Sequence, residues 1–187
     1  MDDINYLKRK IKEIIKESPV PEDLVHSKNT LEWLLKLNPD ADEALQIAAL
    51  GHDIERAIEG RKVKREDYKN YNEFKDAHAL NSAKVMTEIM KECNMSKRLA
   101  DDIFSLVRYH ETGNTKRSDI LRDADSISFF HVNLPYYFIR NGAEETKKRC
   151  SWGYRRISEH LQPIVAELVY RNKELEALVR TCISESE

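Results

Sequence analysis

Apolar residues recur along this chain at helical spacing. Ile4, Leu7, Ile11, Ile14 and Ile15 share one face and predict an amphipathic helix over residues 5–17. Ser18-Pro19-Val20-Pro21 breaks it, because proline has no amide hydrogen and its ring clashes with the preceding turn. A second helix starts near Pro21, with Glu22 and Asp23 in the first turn, where the helix dipole favours anions. It carries Leu24, Val25, Leu31, Leu34, Leu35 and Leu37 and ends at Asn38-Pro39. Asp40 or Asp42 caps a third helix over the apolar run 44–56. Ala44, Ala48, Ala49 and Gly51 are small, which suits a helix closely packed at the centre of a bundle. A charged loop over residues 60–66 leads to a fourth helix at about 71–93. Ser96 caps a fifth, which stops at Gly113, and Ser118 caps a sixth, which Asn133-Leu134-Pro135 ends. The remainder predicts a short aromatic helix, a basic segment, and two helices around 157–168 and 174–183. No segment shows strand periodicity, and five glycines and five prolines punctuate the chain sparingly. The expected class is all-α, a single compact helical bundle.

Composition narrows the picture. A chain of 187 residues suits one domain, and 34% charged residues suit a solvated helical surface. The net charge of −2 implies no global attraction to nucleic acid or to an anionic membrane. Cys93, Cys150 and Cys182 are an odd number without paired spacing and read as reduced thiols of a cytoplasmic protein. Residues 1–15 are too charged for a signal peptide, and no apolar run approaches a membrane span.

The chemistry begins at His52-Asp53, inside the apolar run of the third helix. An ionised carboxylate buried alone is very costly. A neighbouring imidazole and a divalent cation remove that cost. A lone histidine on a helix is more often a core or surface residue than a ligand. Here, however, four of six histidines, His26, His52, His78 and His110, fall on four different predicted helices. A carboxylate follows in Leu121-Arg122-Asp123-Ala124-Asp125. Imidazoles and carboxylates together suit one or two ions of Fe, Mn, Zn, Ni, Co or Mg. Around the sixth helix, Ile120, Leu121, Ala124, Ile127 and Val132 form the apolar face, and Asp123 and Asp125 lie on its opposite shoulders. Periodicity leaves both open.

The order His26, His52-Asp53, His78, His110, Asp resembles the HD-domain superfamily of metal-dependent phosphohydrolases, over residues 20–132. It resembles in particular the two-metal members, of which the small diadenosine tetraphosphate hydrolases are similar in length and ligand order. The resemblance implies an HD-type domain with the helices of residues 134–187 packed on its metal core. It implies His26, His52, Asp53 and Asp125 around a first metal, the last favoured by the superfamily's Ala-Asp step. His78 and His110 would hold the second, with Asp53 bridging. With one metal only, His78 and His110 would touch phosphate or act as general acid. Arg56, on the face of His52 and Asp53, would hold a phosphate; its plainer role is an ion pair with Glu55, Glu59 or another carboxylate. Glu55 itself reads as solvated. Ile54-Glu55-Arg56-Ala57 departs from the acidic pair of the guanosine tetraphosphate hydrolases, and no Gly-Tyr-Pro signature of cyclic di-GMP phosphodiesterases follows.

The densest basic stretch, residues 147–156, supplies Arg149, Arg155 and Arg156 as candidates for contact with a nucleotide's phosphates; a solvated helix face is the plainer reading. Phe129-Phe130 and Tyr136-Tyr137-Phe138 are expected in the core, and His131 and His160 match nothing. The leading expectation is a metal-dependent phosphohydrolase acting by metal-activated hydroxide on a small phosphorylated molecule, most plausibly a nucleotide. Its catalytic residues would be Asp53, Arg56, His78 and His110. A di-iron oxygenase on the same ligands and a non-catalytic nucleotide-sensing module are the alternatives. The amphipathic terminal helices either pack on the core or form a homodimer contact.

Overall fold

A computed structural model describes residues 3–185; Met1, Asp2, Ser186 and Glu187 lie outside it. The described residues are helical throughout, without strands. α1 (Asp3–Lys16) buries Leu7, Ile11 and Ile15, as its periodicity predicts. α2 (Asp23–Leu37) behaves differently. It buries Asp23, His26, Ser27, Asn29 and Thr30, while Val25 and Leu35 face solvent. Its inward face is therefore polar, which a core-facing helix tolerates only where partners satisfy those groups.

α3 (Glu43–Gly51) is the central helix, packed by α1, α2, α5 (Lys97–Arg108) and α6 (Lys116–Ser128). Ile47, Ala48 and Ala49 are fully buried. At Gly51 a Cβ would meet the end of the Met86 side chain from α4 (Tyr71–Glu92). Asp42, not Asp40, caps α3 by accepting from the Leu45 amide at 2.9 Å. The helix ends five residues short of the predicted run. His52-Asp53 sits in a tightened turn leading to a 3-10 segment, Ile54–Ala57.

Two further boundaries move. Thr115 caps α6, three residues before Ser118. Ser118 is its partner in a reciprocal capping box, with Thr115 N donating to Ser118 Oγ at 2.8 Å. Asn133-Leu134-Pro135 does not end the helical path. A π-helical turn, Phe129–Asn133, runs into α7 (Leu134–Arg156), and Pro135 lies in the first turn, where its missing amide hydrogen costs nothing. The basic segment is thus helical, continuing α7 beyond a break at Gly142 (φ 74°). The helix predicted at 157–168 shrinks to a 3-10 turn, Glu159–Leu161, and a short α8 (Gln162–Ala166); α9 (Lys173–Ser184) closes the chain.

α1 to α6 enclose one apolar core. The end of α6, the π turn, α7 and α9 enclose a second, around Phe130, Tyr154, Leu175 and Val179, and Trp33 and Leu37 of α2 touch both. Cys93, Cys150 and Cys182 are buried, and none forms a disulfide among the described residues. No helix among the described residues is long and apolar enough to cross a membrane.

Gly113 closes the turn after α5 with φ +70°, and a Cβ there would meet the Asp119 and Arg122 side chains. Gly113→Ala is therefore expected to cost about 1–3 kcal/mol of stability, from left-handed strain alone. Differential scanning calorimetry reads this directly; an unchanged midpoint would show that the turn relaxes.

Candidate metal centre

Four imidazoles converge between α2, α3, α4 and the turn after α5, and each has its Nδ1 already committed. His52 Nδ1 donates to the Ala49 carbonyl at 2.9 Å, and His110 Nδ1 to the Val107 carbonyl at 2.7 Å. His26 Nδ1 lies 2.9 Å from Ser128 Oγ, whose own proton goes to the His26 carbonyl, so the imidazole is the donor. His78 Nδ1 donates to Glu55 Oε1 at 2.7 Å. With Nδ1 protonated, each Nε2 carries a lone pair.

Those four lone pairs point at one another and at two carboxylates. His26 and His52 Nε2 are 3.2 Å apart, and they lie 3.1 and 3.3 Å from Asp125 Oδ1. His78, His110 and His52 Nε2 lie 2.7, 3.6 and 3.7 Å from Asp53 Oδ1. His110 Nε2 is buried without a hydrogen-bond partner. Lone pairs facing lone pairs in a buried space repel unless protons or cations lie between them. The donor set thus fits metal ions, as two groups: His26, His52 and Asp125; and Asp53, His78, His110 and Glu111. Asp53 Oδ1 reaches imidazoles of both.

Without an ion, protons serve instead. Burial alone would lower the His110 pKa, but the Asp53 and Glu111 carboxylates raise it to about 9. Burial opposes ionisation of Asp53 too, yet His52 and His78 hold it well below the usual carboxylate range; His26, His52 and Arg156 do the same for Asp125.

Charged residues enclose the ligands. Arg56 bridges Asp53 Oδ2 (3.2 Å) and Asp23 Oδ1 (2.9 Å). Arg156 bridges Glu111 Oε2 (2.7 Å) and Asp125 Oδ2 (3.2 Å), and Lys75 also pairs with Glu111. Arg149 stands in a cage of rings, its guanidinium carbon 4.3, 4.7 and 5.2 Å from the centres of Tyr71, Trp152 and Phe129. A pit of about 30 Å³ opens over Asp53 and Asp125, and beside it lies a cavity of about 340 Å³. Arg56, Lys75, Phe129, Asn133 and Arg149 line both.

The sequence model of DUF4202, a domain of unknown function, matches residues 1–179. The chain belongs to this family. No curated protein and no solved structure matches it. Every ligand of this DUF4202 centre, and α7 with its arginines, lies within the matched residues.

The DUF4202 fold brings His26, His52, Asp53, His78, His110 and Asp125 together. It also separates the two aspartates that periodicity left open. Asp123 turns to the C-terminal segment, where its oxygens accept from Ser158 N (2.9 Å) and Ser158 Oγ (2.7 Å). Arg56 sits over the candidate ligands and pairs with the carboxylates of Asp23 and Asp53. Of the basic stretch, Arg149 and Arg156 face the site. Arg155 points away, is exposed, and donates to the Ser151 carbonyl at 3.1 Å.

Glu55 overturns its solvated expectation. It is 1% exposed and accepts from His78, Asn81 and the Val63 amide. Adjacency to Arg56 concealed this, because its partner His78 comes from α4. Glu111 and Lys75 escaped notice in the sequence as well; the one available signal was a carboxylate directly after a ligand histidine. Among the aromatics expected in the core, Phe130 is there, while Phe129 and Tyr137 line the cavity and Tyr136 is exposed.

Proposed function

We propose that this chain is a metal-dependent phosphohydrolase that cleaves a phosphoester or phosphoanhydride of a small phosphorylated molecule, a nucleotide being the class its cavity suits. The observation that carries the reading is the convergence of four Nε2 lone pairs on Asp53 and Asp125. Two further points support it. The ligand order resembles that of HD-domain phosphohydrolases. The adjoining cavity also carries Arg56, Lys62, Arg65, Lys75, Arg140 and Arg149 against two carboxylates, Glu22 and Glu55, each already bonded.

The two groups would hold divalent ions, which when bound would supply hydroxide near neutral pH and offset charge developing at phosphorus. The remaining work falls to the chain. His26, His52 and Asp125 form one ligand group; His78 and His110 form the other, with Asp53 between them and Glu111 as a further donor. Arg56, Lys75 and Arg156 offset most of the charge of Asp23, Asp53, Glu111 and Asp125, so two divalent ions bound there would leave the centre net positive and draw an anion. Arg56, fixed by Asp23, presents a guanidinium to the phosphate.

The test is elemental analysis of the purified protein, followed by a screen of nucleotides and other phosphorylated compounds with the retained metal. About two ions per chain and metal-dependent phosphate release are expected. Absence of any ion after reconstitution with Mn, Fe, Co, Ni, Zn and Mg would overturn the reading.

Glu55 orients His78, and loss of such a partner weakens metal binding about 10- to 100-fold in comparable sites. Glu55→Gln is expected to fall at the lower end, because the amide oxygen still accepts from Nδ1. Chelator competition measures it; wild-type affinity would remove Glu55 from the centre.

A further inference from the structure

Of the seven cationic side chains lining the pit and its cavity, Lys62 and Arg65 are exposed to solvent, and four of the other five are matched. Arg56 has Asp23 and Asp53, Arg156 has Glu111 and Asp125, Lys75 has Glu111, and Arg140 has Glu22. Arg149 is the exception. Among the described residues no carboxylate forms an ion pair with it, and its buried Nη1 has no hydrogen-bond partner. Its surroundings are the rings of Tyr71, Phe129 and Trp152. Aromatic faces attract a guanidinium through their quadrupole, yet they neither neutralise its charge nor accept its in-plane hydrogens. Burial, with repulsion from Arg156 and Arg56, lowers its pKa to about 9 against a weaker attraction from Asp53. A cation kept in such company is held in place, desolvated and unpaired.

Its position gives this a direction. Arg149 lies at the seam where the pit over Asp53 and Asp125 opens into the larger cavity. Arg56, Lys75, Phe129 and Asn133 share the seam, and the last two add to the argument. Asn133 is buried with its amide oxygen unpartnered, and Phe129 begins the π-helical turn that also carries Asn133. Turns of this kind displace side chains from the regular helical phase and recur at functional sites.

We propose that Arg149 is the phosphate-recognition residue of this centre: its guanidinium takes the oxygens of a phosphate group seated over the pit, with the organic part of the ligand in the cavity. The proposal rests on the phosphohydrolase reading for its substrate, but its own content is an anion site on α7 that pairs a planar, two-pronged donor with phosphate. The ring cage sets the plane of the fork in advance, which cuts the ordering cost of binding. The same unpaired charge weighs on the ligand-free fold, so a neutral side chain of similar length should not destabilise it.

The experiment uses the full chain loaded with manganese and titrated with inorganic phosphate by calorimetry, comparing wild type, Arg149→Met and Arg149→Lys. Metal content and thermal midpoint are measured on each, and turnover of p-nitrophenyl phosphate on the wild type. Phosphate affinity is expected to fall about 10- to 100-fold in Arg149→Met, the usual effect of removing a charge-assisted hydrogen-bond pair. Arg149→Lys should be intermediate, with metal content unchanged and the Arg149→Met midpoint equal to or above wild type. Wild-type phosphate affinity in both variants would overturn the proposal; wild-type turnover would then leave the phosphohydrolase reading standing. A metal-loaded wild type that neither binds phosphate nor turns over any phosphorylated compound would overturn both. Should Arg149→Met fail to fold, Arg149→Lys decides, and unchanged affinity there assigns Arg149 to structure alone.

Discussion

Asp53→Ala protein is expected to purify folded but stripped of transition metal, with phosphate release reduced by about a thousandfold or more. Several kcal/mol of transition-state stabilisation come from a metal centre of this kind, and each ~1.4 kcal/mol is a factor of ten. The effect exceeds that of any single histidine because Asp53 Oδ1 is the one atom near His52, His78 and His110 together. Removing it strips charge from the second ligand group and separates it from the first. Folding survives for two reasons. Asp53 stands in a turn with its side chain 16% exposed, and Arg56 keeps its second partner, Asp23. Asp53→Asn preserves shape but not charge and is expected to be metal-poor as well, since a neutral amide is a weak bridge between cations. Wild-type metal content in either variant, by plasma mass spectrometry, would show that Asp53 is no ligand.

Phe130→Ala carries the largest expected loss of stability, about 3–5 kcal/mol, as for other buried large-to-small aromatic changes. For a chain of this size that lowers the thermal midpoint by roughly 10 °C. Phe130 is fully buried in the second core, and its carbonyl accepts from Tyr170 Oη at 3.0 Å. It also occupies the π turn between Phe129 and Asn133, both of which line the pit. The cavity left behind therefore loosens the site as well as the core. Phosphate binding below the melting range is expected to weaken more than metal content, because of the proposed ligands only Asp125 lies on the helix leading into this turn. A midpoint shift under 2 °C would mean that the turn collapses into the vacated space.

The sequence was most informative where a residue type conflicts with its surroundings. His52-Asp53 in an apolar run, and His26, His78 and His110 on separate helical segments, stand out because polar titratable groups on inward positions need partners. It was silent where the partner comes from elsewhere in the chain. Glu55 reads as solvated until α4 supplies His78, and Glu111 reads as ordinary until Lys75 and Arg156 arrive from either side. Arg155 and Arg156 are equivalent in composition; the phase of α7 sends one to solvent and the other to Asp125.

Helical class and the approximate helices follow from the sequence alone, because they depend on spacing and local propensity; the four histidines were singled out there as candidates, and the fold brings them together. Tertiary structure decided Asp125 over Asp123, since the competing partner, Ser158, returns from 35 residues further along. It decided that the proline after Asn133 opens a helix, because the π turn delivers Pro135 to a first turn, where no amide hydrogen is needed. It decided the surroundings of Arg149, where three rings from three different segments meet the guanidinium and no carboxylate among the described residues forms an ion pair with it. Charge compensation is a property of neighbours in space, and neighbours in space are what a linear pattern leaves undetermined.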